Sequence, residues 1–528
     1  MKKAGDSLTN FTKAPSETAM RTLLLLLAAS TAVRLLLAVL IDPGIDEAYA
    51  RAVAERLDWS YFDHPPLTFW VVHAVQAIAG PAAPDWLVRL PFVAAFTATG
   101  AIAYRLAARL GGAAAGIAAV LTLTLAPFFL VSAGSWIVPD GPMLLFAGLA
   151  ALVLARILFD EADPGRADRL WLLAGAAFGL ALLSKLHAGL IGVGALLFLL
   201  GSPRHRGLIA TRGPWLAAAV ALAVFAPVIG WNAAHGWVSF GFQGGRGVPT
   251  GWHPAAGARL LGGQVLYLLP WTFAGLAWAL WGGLARAGAD TPQRFLASLA
   301  WPCIALMTVA PFLSGQGLPH WAMPGWFFAV PLLGARIAAA AAAGSPWPRR
   351  AALASAGLLA LAVAVVTLAP VVQTRLPATW RPAVDRAFAE ALAWRGLDRL
   401  LEREGLLPAN GFAVATSWRQ GGRIAGGLAG RIPVTVFSPD PRGFAFLAPA
   451  DAQIGRDAVV IGTGPGFARD LALMNGLFER IGPIRDLTLV LPGGAELPVR
   501  AASATRLRVP YPWPYGRAGR IAAGHSGP

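Results

Sequence analysis

The sequence predicts a polytopic α-helical membrane protein with a small α/β domain at its C-terminal end. Three observations carry that prediction. Of the 528 residues, 56% are hydrophobic and only 13% are charged, about half the charged share of soluble domains. The apolar residues gather into runs approaching about 20 residues, long enough to cross a bilayer. After residue 370 the pattern changes: ATSWRQGGRIAGGLAGRIPVTVFSP and DAVVIGTGPGFARDLALMNGLFERIG alternate short β-prone runs with amphipathic stretches, as an α/β arrangement requires.

About eleven spans are predicted, near 22–41, 87–106, 111–131, 141–159, 170–184, 188–200, 214–231, 259–283, 295–313, 322–342 and 351–370. The first, Thr22 to Ile41, is long for a signal-peptide core and lacks a clear small-residue cleavage site, so it is read as a retained helix. The formal net charge is +16. Its basic residues lie between apolar runs: Lys2, Lys3, Lys13 and Arg21; Arg105 and Arg109; Arg166 and Arg169; Arg204, Arg206 and Arg212; Arg286 and Arg294; Arg349 and Arg350. That distribution marks alternate loops as cytoplasmic and argues against nucleic acid as a partner. Loops 132–139 and 314–321 hold no Lys or Arg and are expected outside, with loops 42–86 and 231–258. An odd number of spans puts the tail outside as well. The expected division is a membrane domain at 1–370 and an extracytoplasmic α/β domain at 371–528. The single cysteine, Cys303, precludes a disulfide within the chain. GTGPG (462–466) lacks a P-loop lysine and the full Rossmann spacing, and is read as a turn.

Ionisable groups inside membrane spans are costly, so each needs a reason. Arg34, in the first span, either reaches the interface or pairs within the bundle, or it contacts a lipid phosphate. Lys185 and His187 break an apolar pair of spans (SKLHAG); a lysine there is an interfacial anchor or a point charge for phosphate. Asp140 opens a span directly after Pro139, where a carboxylate suits the helix N-terminus, and is expected on the same outer side as Asp46. AYARAVAERLDW has the spacing of a short interfacial helix, with Asp46 and Glu47 in its first turn. One acid suffices for the helix dipole, worth about 0.3–1 kcal/mol, so the second asks for another role. In YFDHPPL the prolines Pro65 and Pro66 favour extended backbone, which makes Tyr61, Asp63 and His64 part of a stiff corner.

DEAYARAVAERLDWSYFDHPPL, PDGPMLLF, SKLHAGL, WNAAHGWVSFGFQ and LPHWAMP, in this order, resemble a bacterial member of glycosyltransferase family 39, the group of protein O-mannosyltransferases and the lipid A aminoarabinose transferase. The motifs cover residues 20–340; the tail is similar in layout through ATSWRQGGRIAGGLAG and DPRGFAF. The resemblance implies a GT-C fold, a polyprenyl-phosphate sugar donor and inverting transfer on the periplasmic face of the bacterial inner membrane. The acceptor would be lipid A or lipopolysaccharide, another glycan or a protein. It implies Asp46 as the catalytic acid of the first outer loop, with Glu47 beside it, and Asp140 as a second acidic position. Asp63 and His64 match the corner near the donor phosphate, Lys185 a basic residue in a similar break, and His235 and His320 histidines of later outer loops. Relatives specific for aminoarabinose tend to carry Lys where this chain has His64, which argues against that donor.

The chemistry fits this toolkit. A lipid-linked sugar phosphate has a good leaving group, whereas the acceptor hydroxyl is a weak nucleophile that needs a carboxylate base. Cations placed at the phosphate stabilise the charge that grows there. Asp46 and Asp140 are therefore the catalytic candidates. Glu47, Tyr61, Asp63, His64, Lys185, His187, His235, His320 and Arg34 are the candidates for substrate binding. Asp63, His64 and His235 suit a divalent metal by donor type, although their spacing resembles no standard site; a divalent metal is the one cofactor these residues suggest. The alternatives are a transporter or lipid-linked sugar flippase, for which broken helices near mid-membrane would be the sign, and a non-catalytic scaffold.

Overall fold

The computed structural model describes residues 16–160, 164–373, 392–491 and 496–513. Lys2, Lys3 and Lys13, and residues 514–528 of the Pro- and Gly-rich end, lie outside them. Among the described residues eight helices are long and apolar enough to cross a membrane, or nine if one bent pair counts as a span. The chain is an integral membrane protein.

The eleven expected spans exceed this number for identifiable reasons. The stretches 87–106 and 111–131 are two helices, as expected, counted once because they run together in the 41 residues Asp85–Leu125, which are non-helical at Gly111 and Gly112; at about 1.5 Å per residue they are long enough for two crossings of a ~30 Å layer. Gly112 takes φ 73°, a left-handed conformation natural to glycine. The stretch 188–200 becomes Ala188–Gly201, 14 residues, roughly 21 Å at 1.5 Å per residue and short of the ~30 Å hydrocarbon layer. The stretch 259–283 is two helices, Pro254–Leu268 and Pro270–Ala285, bent by 100°. Leu269 at the bend has φ 67°, and Pro270 behind it has no N–H to continue the ladder.

The chain forms two compact units: residues 1–37, 90–227 and 243–362, and residues 38–89, 228–242 and 363–528. The core of the first is aromatic and aliphatic, with Phe96, Phe128, Phe129, Phe295, Phe327 and Phe328 almost wholly buried. Its helices approach closely through small residues: a Cβ on Gly194 would collide with the Ser298 carbonyl, the close packing by which membrane helices associate.

The second unit holds a six-stranded sheet in the order β2–β1–β3–β6–β4, with β5 also on β6. The strands are Phe412–Ala415, Val434–Val436, Ala458–Gly462, Phe478–Ile481, Arg485–Val490 and Glu496–Leu507 for β1 to β6. β1 pairs in parallel with β2 and β3. All three are buried along their length, as strands covered on both faces are. β5, paired antiparallel to β6, instead alternates buried and exposed residues in its second half, the signature of one solvated face.

β1 runs into the helix Trp418–Leu428, where the Ser417 side chain accepts from the Arg419 N–H and so caps the helix. Against this helix lies Ile45–Val53. A Cβ on Gly422 would collide with the backbone of Ala48 and Tyr49, so glycine is what lets the two backbones touch. The expected interfacial helix is thus shorter than AYARAVAERLDW and is clamped on protein, with Ala48, Tyr49, Ala50, Ala52 and Val53 buried. The prolines also differ from expectation. Pro66 takes φ −79° and ψ −18° and opens the helix Leu67–Ala79, so the corner ends in a helix start and not in extended chain.

Candidate active site

Three carboxylates at the start of the second unit have three different surroundings. Glu47 is fully buried and meets the Arg89 guanidinium, which donates from Nε at 2.8 Å and Nη2 at 2.6 Å. Arg89 also donates to the carbonyls of Ala38 and Ile41, the Glu47–Arg89 pair tying α-helical and loop segments together. Asp63 is buried too. It accepts from the Tyr49 hydroxyl at 2.8 Å and faces Arg442 Nη1 at 3.6 Å. Asp46, in the first turn of Ile45–Val53, is exposed, and no described residue gives it a hydrogen bond or an ion pair.

The tail of the chain builds the wall around Asp46. Tyr49 Oη accepts from the Gly443 N–H at 2.9 Å, which fixes the Asp440–Gly443 turn beside Asp63. Arg442 sits in that turn with φ 48°, a left-handed conformation uncommon for a side chain of this size. Its guanidinium lies 3.7 Å from the centre of the Trp418 ring and 5.5 Å from that of Phe242, close enough for cation–π attraction. Tyr49 meets Trp418 and Phe444 edge-on at 5.6 and 5.7 Å.

These surroundings set the proton affinities. Asp46 is reached by water yet ringed by protein. Loss of hydration raises its pKa, Arg442 pulls it down, Asp63 pushes it up, and the net direction is upward. A carboxyl held above its ordinary range is better matched to a proton-accepting task near neutral pH. Burial likewise pushes the Tyr49 hydroxyl well above its usual range, with the Asp63 carboxylate adding to it, so this phenol stays a donor. Arg442 is raised despite its burial because Asp63, Asp440 and Asp46 surround it with negative charge.

In the first unit the polar residues form another constellation. Asp140 opens the helix Asp140–Phe159, directly after the N-cap Pro139. It is buried and takes two hydrogen bonds from Lys185 Nζ, at 2.9 and 2.8 Å. Lys185 occupies the break between the helices Pro164–Ser184 and Ala188–Gly201. Two residues on, the His187 ring lies 5.9 Å from that of Trp321, and Arg246 covers the same indole at 4.4 Å. His320 is half-buried in the turn Pro319–Ala322.

The structure gives the other sequence candidates these surroundings. Glu47 is engaged in the buried ion pair with Arg89. Tyr61 is buried, donates to the Arg56 carbonyl at 2.9 Å and accepts from the Asp58 N–H at 3.2 Å, so its hydroxyl clamps the 56–61 turn; burial pushes it up to about 12. Arg34 meets partners within its own unit. It is buried, donates to Ser30 Oγ at 2.6 Å and lies 4.6 Å over Phe96, in space left by Gly134, where a Cβ would meet its Nε. His235 stacks on Trp231 at 4.0 Å and donates from Nδ1 to that residue's carbonyl at 2.7 Å. Among the described residues no three His, Cys, Asp or Glu side chains are gathered for a metal, and Asp63 and His235 are engaged as described. His64 is half-buried at the Pro65–Pro66 corner. Sequence reasoning missed Arg442 and Trp418. The signals were the turn-forming Asp-Pro-Arg-Gly (440–443) and the capped Ser417–Trp418 helix start, but nothing local pointed them at Asp46.

Residues 63–231 match the family model described as dolichyl-phosphate-mannose-protein mannosyltransferase. A lipid A galacturonosyltransferase, RgtD of Rhizobium johnstonii, is 25% identical over 295 residues, 53% of this chain and 58% of that protein; the chain therefore spans little more than half of its curated relative. ArnT from Cupriavidus metallidurans bound to undecaprenyl phosphate superposes with a TM-score of 0.60 at 17% identity, over 91% of this chain and 97% of that one. Its apo form gives 0.63 at 18% identity, over 92% and 98%. The archaeal oligosaccharyltransferase AglB from Archaeoglobus fulgidus, in complex with an inhibitory peptide and dolichol-phosphate, gives 0.50 at 13% identity, over 84% and 69%. The chain has the GT-C fold of these membrane transferases and is related in sequence to the dolichyl-phosphate-mannose-protein mannosyltransferase family.

Proposed function

We propose that this protein transfers a sugar from a polyprenyl-phosphate carrier to an envelope acceptor, lipid A or another glycan or protein, on the periplasmic face of a bacterial inner membrane. The membrane domain, residues 1–370, would carry the reaction, and residues 371–528 would form the periplasmic domain. One observation supports the choice of base. Of the three acids at the start of the second unit, Glu47 and Asp63 are occupied by Arg89 and by Tyr49 with Arg442, while Asp46 alone is open to water. Asp46 takes the acceptor hydroxyl proton, that oxygen attacks the anomeric carbon, and the carbon–oxygen bond to phosphate breaks with its electron pair leaving on the phosphate. Attack opposite the phosphate inverts the anomeric centre. Asp63 keeps Tyr49 and Arg442 in place, and His64 offers a cation to the phosphate. Lys185, held by Asp140, is a second cation for a phosphate.

The donor sugar we favour carries a carboxylate. Arg442 and the exposed Arg419 both act electrostatically on Asp46, the relative RgtD is a galacturonosyltransferase, and guanidinium groups recognise carboxylates with two parallel bonds. Mass spectrometry of envelope glycolipids and glycoproteins, with and without the gene, tests this reading. One missing hexuronic acid mass is expected. A missing neutral or amino sugar overturns the carboxylate preference, and an unchanged glycan profile overturns the transferase.

A further inference from the structure

We infer that the arginine-rich end of the first unit holds an anionic phospholipid head group between the helices Pro270–Ala285, Pro292–Ser314 and Met323–Ala342. A cavity of about 350 Å³ opens there, lined by Arg286, Gln293 and Arg336 on its polar side and by Leu110, Ala279 and Leu332 on its apolar side. Among the described residues neither guanidinium group has a carboxylate partner. Every acid among the described residues of this unit has a partner elsewhere: Glu17 with Arg21, Asp140 with Lys185, Asp160 with Arg109 and Asp168 with Arg212. Asp290, nearest in sequence to Arg286, accepts from the Ser202 hydroxyl and the Arg204 N–H.

Arg336 is held in place by its surroundings. Its guanidinium lies 4.7 Å from the centre of the Trp278 ring, and its Nη2 occupies the space a side chain at Gly282 would need. The Gly111–Gly112 break in Asp85–Leu125 places Leu110 at the rim, with Gly111 in contact range of Ala335. Two unopposed guanidinium groups select a phosphate oxygen pair. The apolar wall selects the source: a free phosphate would leave Leu110, Ala279 and Leu332 uncovered, while a glycerophospholipid covers them with its acyl stems. The loops at this end carry the Arg excess expected of a cytosolic face, the leaflet where anionic lipids meet basic clefts between helices.

Native mass spectrometry of the purified full chain tests the assignment, titrated separately with phosphatidylglycerol, phosphatidylcholine and inorganic phosphate. Wild type is expected to hold one phosphatidylglycerol in preference to phosphatidylcholine. Arg286→Gln/Arg336→Gln should weaken it by roughly tenfold or more, the scale of two basic residues at an anionic surface. Arg286→Lys/Arg336→Lys should retain part of the binding, which separates loss of charge from loss of fold. Gly282→Ala keeps both charges but displaces the Arg336 guanidinium, and should give an intermediate loss. Equal retention by the Gln double variant, equal binding of phosphatidylcholine, or displacement of the lipid by millimolar inorganic phosphate would each overturn the site.

Discussion

Asp46 and Asp140 begin alike and end differently. Each stands in the first turn of a helix, where the helix dipole alone would justify a carboxylate. Asp140 is nevertheless buried and bound twice by Lys185, while Asp46 is exposed and has no such partner among the described residues. The difference follows from solvation. A carboxylate taken out of water survives ionised only with a cation and further hydrogen bonds. One that water still reaches can stay unpaired, and an unpaired carboxylate is the one able to accept a proton. Glu47, adjacent to Asp46 in sequence, repeats the lesson by turning inward to Arg89.

The comparison can be broken most severely at its paired members. Lys185→Met strands Asp140 in the interior and should cost about 3–5 kcal/mol, read as a large fall in the thermal midpoint of the detergent-purified protein. Lys185→Met/Asp140→Leu should recover most of it. A single variant as stable as wild type would contradict the pairing. Glu47→Gln leaves Arg89 buried without its counter-charge, and a loss of about 3 kcal/mol is expected on the same grounds. Residual transfer per folded molecule should remain if Asp46 is the base, as proposed; abolished transfer in a fully folded Glu47→Gln protein would exchange the roles of the two acids.

A smaller effect sharpens the assignment. A base works deprotonated, so kcat/KM should fall as pH falls through the pKa of Asp46. Because partial loss of hydration raises that pKa, the acid limb should lie above the ordinary aspartate value of about 3.9. Arg442 pulls it down, so Arg442→Gln should move the limb to higher pH; an unmoved or lowered limb would remove Arg442 from the surroundings of the base. The smallest effect is on stability. Asp46 has a raised pKa in the fold, so its ionisation opposes folding, and stability falls as pH rises from the unfolded to the folded pKa. Asp46→Asn removes that term at neutral pH. Its unfolding free energy should match wild type within about 0.5 kcal/mol, or exceed it slightly.

Much of this was legible from local pattern. Apolar runs gave the membrane helices, and the β-prone tail gave the sheet, because both signals repeat over short windows. The candidate acids and Lys185 were legible because charge is costly in or beside a span. Their partners were not. Lys185 and Asp140 are 45 positions apart, Arg89 and Glu47 42, and Gly443 and Tyr49 394. No window reads such distances, so the internal contacts of Tyr61, Glu47 and Arg34 could not be foreseen. Arg442 escaped for the same reason, since its turn means little until the glycines of Trp418–Leu428 bring that helix against Ile45–Val53. The span count differs where helix length and bending are at issue, because a 14-residue apolar helix and a sharply bent pair have the same composition as full spans.

The most direct test is single-turnover transfer from a polyprenyl-phosphate-linked uronosyl donor by purified wild type, Asp46→Asn, Glu47→Gln and Asp63→Asn, each normalised to folded protein. Asp46→Asn should retain its thermal midpoint and lose about 10²–10⁴-fold in rate, the range of a general base, with smaller losses in the other two. Near-normal turnover in folded Asp46→Asn would contradict its assignment as the base.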